Sequence, residues 1–299
     1  MSYRIKDLEA LDAEVRRIGL EQVDRALAAL SDTSLDEAAR IHAVRKRCKK
    51  IRALARLVRP GLGKRSYRRL NRHFRDAARR VSDSRDAAVF VATYDRVCDR
   101  FADEIERRGT ASIRAALTRR LKAHEEATAD GARLERLSED LEQGSALIDS
   151  IRLRGAAKGF EGLRAGFVKV HDRARANGAA AVASRTPEAY HEWRKGVKYH
   201  RHHLKLLASL WPVPLGALHE EASRLGELLG DAHDLAELDA HLAAEPHGLG
   251  DPRHVDSLTA FARRLRAELE AESAPLGERV FAEKGKRVAK RFAAWHAAG

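Results

Sequence analysis

Two kinds of residue run in parallel between Ile41 and Arg80. Ile41, Val44, Cys48, Ile51, Ala55 and Val58 recur at alternating intervals of three and four, and His42, Arg45, Lys49, Arg52 and Arg56 repeat those intervals one residue later. Only a helix turns both series into straight stripes, and an offset of one residue sets them about 100° apart. The cationic stripe therefore borders the apolar face. After Pro60-Gly61-Leu62-Gly63 the device returns: Arg65, Arg68, Arg72, Arg75 and Arg79 form one stripe, and Tyr67, Leu70, Phe74, Ala77 and Val81 form another, on nearly opposite faces. No stretch of the chain alternates with the period of a strand, so the expected fold class is all-α.

The charge in this segment is unbalanced. It holds sixteen Lys and Arg and a single acid, Asp76, whereas the whole chain of 299 residues carries a net charge of +13. The remainder is therefore close to neutral, and the positive charge is a local feature that bears on partners. Two unit charges about 6 Å apart repel by roughly 3 kcal/mol at an effective dielectric of about 20. A polyanion relieves that repulsion and releases counterions as it binds. The alternative is an ordinary solvated basic face, in which acids are normally interspersed.

The rest of the chain divides at its turn residues. Tyr3 to Leu30 reads as one or two amphipathic helices, with Ser31-Asp32-Thr33-Ser34 supplying a break and a cap. The two basic helices are expected over about Leu35 to Arg59 and Lys64 to Val81. Ser82-Asp83-Ser84-Arg85-Asp86 interrupts or caps the second of these. A further helix is expected to run to about Arg108 and end at Gly109-Thr110, with two more before Ser150 separated at Ala129-Asp130-Gly131. Beyond it the expectations are a helix from Gly155 to Ala176, loosened at Asn177-Gly178 unless Ala179 to Ala183 extend it, and another from Tyr190 to Trp211. Leu215 to Leu229 follows, ending at Gly230-Asp231, then a helix to about Glu245 and two C-terminal helices, Val255 to Ser273 and Gly277 to Ala298. The two cysteines, Cys48 and Cys98, have no metal-binding or disulfide spacing. The N-terminal residues contain no apolar signal core, and no uncharged run reaches the roughly 18 residues of a membrane span. A soluble protein of a reducing cytosol is expected.

The pattern repeats within the chain. Setting His42 against His191 brings Arg45, Lys46, Lys49, Arg52 and Arg56 against Arg194, Lys195, Lys198, Arg201 and Lys205. Ile41, Val44 and Cys48 then meet Tyr190, Trp193 and Val197, and Ser82 to Asp86 meets Gly230 to Asp234 at nearly the same offset. A tandem duplication is expected, with residues 1–150 as the first helical-bundle repeat and 151–299 as the second. Leu215 to Leu229 lacks the basic row of Lys64 to Arg80, so the two halves are unequal in charge.

The pattern His-x-x-Arg-Lys-x-x-Lys-x-x-Arg, present at His42 to Arg52 and again at His191 to Arg201, is similar to that of the CHAD family, the conserved histidine α-helical domain. Arg75-Asp76-Ala77-Ala78-Arg79, Ser84-Arg85-Asp86 and Gly230-Asp231-Ala232-His233-Asp234 resemble it too. The resemblance implies two pseudo-symmetric four-helix bundles around a basic central groove or pore. It also implies binding of inorganic polyphosphate and association with polyphosphate granules in the cytoplasm, where granule-associated proteins are further partners, and no catalysis. His42, Arg45, Lys49, Arg52 and Arg56, with His191, Arg194, Lys198 and Arg201, then become anion ligands by position.

The residue chemistry fits phosphate independently of the resemblance. Arg presents a planar fork of donors and keeps its charge when partly desolvated, which makes the row Arg65, Arg68, Arg72, Arg75 and Arg79 a candidate clamp. His42 and His191 head the two basic lines. If they contact phosphate, binding strengthens below about pH 6.5. The pairs Asp83/Asp86 and Asp231/Asp234 come without a third ligand, so they are expected to orient basic side chains and not to hold a metal; no cofactor is expected. Trp193, Trp211 and Trp295 are expected as packing residues, and the added histidines His200, His202 and His203 have no role in this scheme. Two competing functions remain open. A nucleic-acid binder uses aromatics among its cations for stacking, but Tyr67 and Phe74 lie off the Arg row, which leaves backbone contacts to a competing polyanion. A phosphohydrolase needs metal-holding carboxylates and a placed nucleophile, and neither a P-loop nor an acidic cluster is present.

Overall fold

The computed structural model describes residues 3–81, 83–128, 131–154, 159–244 and 248–298, with side chains described throughout except at 83–86, 124, 125, 127, 128 and 131. Among the described residues all regular structure is helical. The elements are α1 (Leu11–Ser31), α2 (Glu37–Leu57), α3 (Arg59–Arg79), α4 (Asp83–Arg100), α5 (Arg107–Thr128), α6 (Gly131–Asp149), α7 (Glu161–Ser184), α8 (Pro187–Leu206), α9 (Pro212–Ala244), α10 (Pro252–Val280) and α11 (Gly285–Ala298).

Local chemistry sets the ends of the basic helices. The Asp36 carboxylate accepts from the Ala39 amide at 2.7 Å and caps α2, just beyond the Ser31-Asp32-Thr33-Ser34 segment that was expected to supply the cap. Asp32 instead folds back on Ser34. After Leu57 the chain turns through Arg59 to Leu62, and Gly63 breaks the helical path with φ 73° and ψ 163°. Only glycine adopts this conformation without strain. The long run of α3 therefore begins near Lys64. At α8 the Thr186 hydroxyl accepts from the Ala189 amide, and Pro187 occupies the first turn, where its missing N–H costs nothing.

The first apolar stripe of the opening pattern is buried, and so is the second except at Tyr67, which is half-buried. Ile41, Val44, Cys48, Ile51 and Ala55 on α2 with Val58 just past it, and Leu70, Phe74 and Ala77 on α3 with Val81 just past it, all lie inside. Burial pushes the Cys48 thiol up to about 12, so it is an inert apolar filler. Helices α1, α2, α3 and α6 pack in a ring, each against two others. In the second half α7 packs on α8 and α11, and α8 on α9. The two groups meet where α2 lies against α7 and α8.

The hydrophobic clusters cross the boundary expected at residue 150. One combines Phe90, Tyr94, Val97, Phe101, Ile113 and Leu117 of the first half with Leu235, Leu238, Leu242, Leu258, Ala262 and Leu265 of the second. Its four helices, α4, α5, α9 and α10, also pack in a ring. The cluster around α2 likewise takes in Phe160, Leu163, Phe167, Leu204, Leu215 and Phe292.

Three expected breaks are absent, and of the two courses left open at Asn177-Gly178 the chain takes the extended helix. Asn177-Gly178 lies within α7, Gly230 within α9, Gly277 within α10 and Gly109 in the first turn of α5. Three of the four glycines give room to a neighbouring side chain. A Cβ at Gly178 would stand 2.9 Å from the Trp193 ring, and one at Gly277 would collide with the same ring. A Cβ at Gly109 would collide with His254, whereas one at Gly230 would stand 3.7 Å from the Arg194 guanidinium, an ordinary contact. Trp193 is buried, as expected of a packing residue, while Trp211 is half exposed and packs edge-on against Trp295.

Candidate phosphate-binding face

The α2 stripe enters the site from the edge of the core. His42 and Lys46 are exposed, and Arg45, Lys49, Arg52 and Arg56 are half-buried. On α3, Arg65, Arg68, Arg72 and Arg79 are exposed, while Arg75 is half-buried and paired with Asp76 at 2.7 Å. The two stripes are joined at Asn71. Its Oδ1 accepts from Arg52 Nε at 3.2 Å and from Arg56 Nη1 at 2.8 Å. Residues three and four apart share a helix face, so Asn71 lies on the face of Arg68 and Arg75. Arg52 and Arg56 thus stand on the same side of the helix pair as Arg68 and Arg75.

Arg56 also donates to the Arg52 carbonyl oxygen at 3.1 Å and lies over the Tyr199 ring of α8, 3.9 Å from its centroid. Burial lowers the pKa of its guanidinium; Tyr199 and Tyr67 oppose the shift, and Arg52 and Arg173 add to it. It nonetheless remains charged at physiological pH. Lys50, on the flank of α2, sits over the Tyr3 ring. Burial, followed by repulsion from Arg47, Lys46, Arg25 and Lys205, pulls its amine down to about 8.

The α8 line has a different environment. Arg194 keeps only 13% of its side chain exposed and faces Asp234 at 3.9 Å. Lys195 is exposed and pairs with Glu192. Burial lowers the Arg201 pKa, and Glu227 of α9 opposes it. Lys198 is half-buried and Lys205 exposed. His191 packs on His233, with the two Nδ1 atoms 3.3 Å apart. Burial, then Lys195 and Arg194, lowers its pKa, so it acquires charge at a lower pH than the ordinary histidine value that sequence reasoning assumed. Asp234 faces a basic side chain of α8, as expected, whereas Asp231 pairs with Arg96 of α4 at 2.9 Å. The side chains of Asp83 and Asp86 lie outside the described residues.

His200 and His203 are core residues. His203 Nε2 hydrogen-bonds the Ala53 carbonyl at 3.0 Å, and burial takes its pKa down to about 3. His200 lies between His171, Phe167 and Phe281 and is held far below the ordinary histidine value by burial, then by His171 and His203. Among the described residues, no group of three or more His, Cys, Asp and Glu side chains is placed to hold a metal ion. None of their helices is long and apolar enough to cross a membrane.

Asn71 and Tyr199 are neutral, and a search for rows of cations passes over both. Their signal in the sequence is one of position: Asn71 interrupts the Arg row of α3, and Tyr199 falls between Lys198 and Arg201.

An all-helical protein with basic stripes set along the edges of its cores is the class that fold and site define. The chain belongs to the CHAD family: the CHAD domain matches residues 17–243. Among solved structures it is similar to PptA from Streptomyces chartreusis, with 17% sequence identity over 96% of this chain and 99% of that one and a TM-score of 0.60. That likeness is one of fold. No curated protein matches the chain.

Proposed function

We propose that this protein binds inorganic polyphosphate without transforming it, chiefly on the face shared by α2 and α3. The observation that carries the reading is the junction at Asn71, which sets Arg52 and Arg56 on the same side as the α3 row, where Arg65, Arg68 and Arg72 reach solvent. A linear polyanion with one charge per phosphate suits such a row, and each guanidinium matches phosphate oxygens with paired donors. Membership of the CHAD family supports the same ligand.

The α8 line, His191, Arg194, Lys195, Lys198, Arg201 and Lys205, is the weaker half in this reading, because Asp234, Glu192 and Glu227 already offset part of its charge. The two lines descend from one duplicated unit and flank a common basic groove. Association with cytoplasmic polyphosphate granules and their proteins follows from binding the polymer.

The test is competition. Labelled long-chain polyphosphate is displaced with unlabelled polyphosphate and with RNA or DNA matched in charge. Polyphosphate is expected to displace at a lower charge concentration than either nucleic acid. Equal potency per charge makes the face a general polyanion surface. Phosphate release on incubation with magnesium or manganese, lost on Asp234→Asn, would make the protein a hydrolase instead.

A further inference from the structure

Arg52 and Arg56 present an unusual arrangement for two cations one helical turn apart. Both donate to a single acceptor, Asn71 Oδ1, and among the described residues neither forms an ion pair. A carboxylate is the usual partner for two converging guanidinium groups. Asparagine has nearly the same shape and accepts the same hydrogen bonds, but it cancels no charge. The other supports of Arg56 are neutral as well: the Arg52 carbonyl oxygen and the Tyr199 ring. Arg173 of α7, which faces Glu192 at 3.8 Å, is a further cation acting on Arg56. Each guanidinium has five N–H donors; Arg52 uses only its Nε here and Arg56 only its Nη1, so most donors remain available.

We propose that Asn71 and Tyr199 are positioning residues which hold Arg52 and Arg56 as a single seat for one phosphate group of the polymer. This rests on the proposed polyphosphate function and assigns to it two residues outside the cationic rows. Asn71 fixes the spacing of the two guanidinium groups without neutralising them. Tyr199 supports Arg56 from the second half of the chain, so the seat requires both halves to be docked. The chemistry recognised is a phosphoryl group with at least two free oxygens on one side.

The experiment uses the full-length protein and long-chain inorganic polyphosphate, with affinity measured across a salt series and the ligand-free thermal midpoint measured for each variant. Asn71→Asp separates positioning from structure. Its carboxylate pairs with both guanidinium groups, so the ligand-free midpoint stays level or rises, while affinity falls by about tenfold and the salt slope falls by roughly one charge. A purely structural Asn71 predicts no loss of affinity in a variant that is no less stable. Asn71→Ala is expected to weaken binding severalfold with a smaller change in salt slope. Tyr199→Phe keeps the ring and is expected to bind within about twofold of wild type, whereas Tyr199→Ala binds severalfold more weakly.

Wild-type protein that fails to bind polyphosphate overturns the proposed function and this inference together. Wild-type protein that binds, alongside an Asn71→Asp variant that is folded and binds equally well, overturns this inference alone. If Asn71→Asp does not fold, the Tyr199 pair decides: equal affinity for Phe and Ala contradicts the seat, and a loss confined to Ala supports it.

Discussion

The Arg56 guanidinium lies 3.9 Å from the centre of the Tyr199 ring and joins α2 of the first half to α8 of the second. The contact places a desolvated cation where the two basic helices meet. Its energetic weight depends on the planar shape of arginine as well as on its charge.

Arg56→Lys therefore tests shape at constant charge. Lysine keeps the charge but loses the fork that reaches both Asn71 and the Tyr199 ring. Polyphosphate affinity is expected to fall about fivefold to tenfold, a cost of about 1 kcal/mol or slightly more. Retention of full affinity reduces Arg56 to a point charge.

The α3 and α8 rows are expected to contribute unequally. Arg68→Glu with Arg72→Glu reverses two exposed charges on the binding face and is expected to reduce the salt slope by about two or more. Lys195→Glu reverses a side chain already paired with Glu192 and is expected to change affinity less than twofold. Salt-dependent titration of the three proteins decides, and equal losses per charge contradict the assignment to α2 and α3.

The buried histidines predict acid lability. His171, His200 and His203 have folded-state pKa values below the ordinary histidine value, and burial is the largest cause for each. In the unfolded chain they protonate near pH 6.5. Above that pH both states are neutral and stability is unaffected. As pH falls below about 6.5 the unfolded state binds more protons, so stability falls, and for His203 the decline continues to about pH 3. Each such histidine contributes a slope of up to about 1.4 kcal/mol per pH unit within its window. His203→Gln supplies an amide N–H to the Ala53 carbonyl and cannot titrate. Denaturant unfolding between pH 4 and 6 is expected to show a shallower slope for this variant, and an unchanged slope contradicts the reading.

Close helix packing makes a further prediction. A Cβ on Gly166 of α7 would collide with the Leu57 carbonyl oxygen at the end of α2. That neighbour is backbone and cannot rotate away, so Gly166→Ala is expected to destabilise by about 1–3 kcal/mol. Trp193→Ala empties the space between Gly178 and Gly277 and is expected to cost about 3–5 kcal/mol. Denaturation midpoints at pH 7 check both, and values within 0.5 kcal/mol of wild type would contradict this packing.

The basic helices were legible because each carries its own answer. The apolar stripe of Ile41, Val44, Cys48, Ile51 and Ala55 and the cations beside it need no partner to be read, although Pro60 to Leu62, expected to stop the first helix, form a helical turn between the breaks at Val58 and Gly63. The longer helices were not legible in the same way. Gly178 and Gly277 look like chain breaks until the Trp193 ring is seen against both. A glycine that permits a turn and a glycine that admits a neighbour are identical in sequence; only the packing separates them. Nor does any local pattern reveal that α4 and α5 share a core with α9 and α10, because that pairing joins segments more than 100 residues apart. Candidate ligands could be found by charge, whereas Asn71 and Tyr199 are defined by what they hold.

The central claim is that the α2–α3 face binds polyphosphate, and the most direct measurement is the thermal midpoint with and without long-chain polyphosphate at about 50 and about 300 mM salt, on either side of physiological screening. A ligand of the native state raises the midpoint by linkage. The account predicts a large rise at low salt, a smaller one at high salt, and the loss of most of the rise in Arg52→Ala with Arg56→Ala. No rise at low salt, or a rise that survives in the double variant, would contradict it.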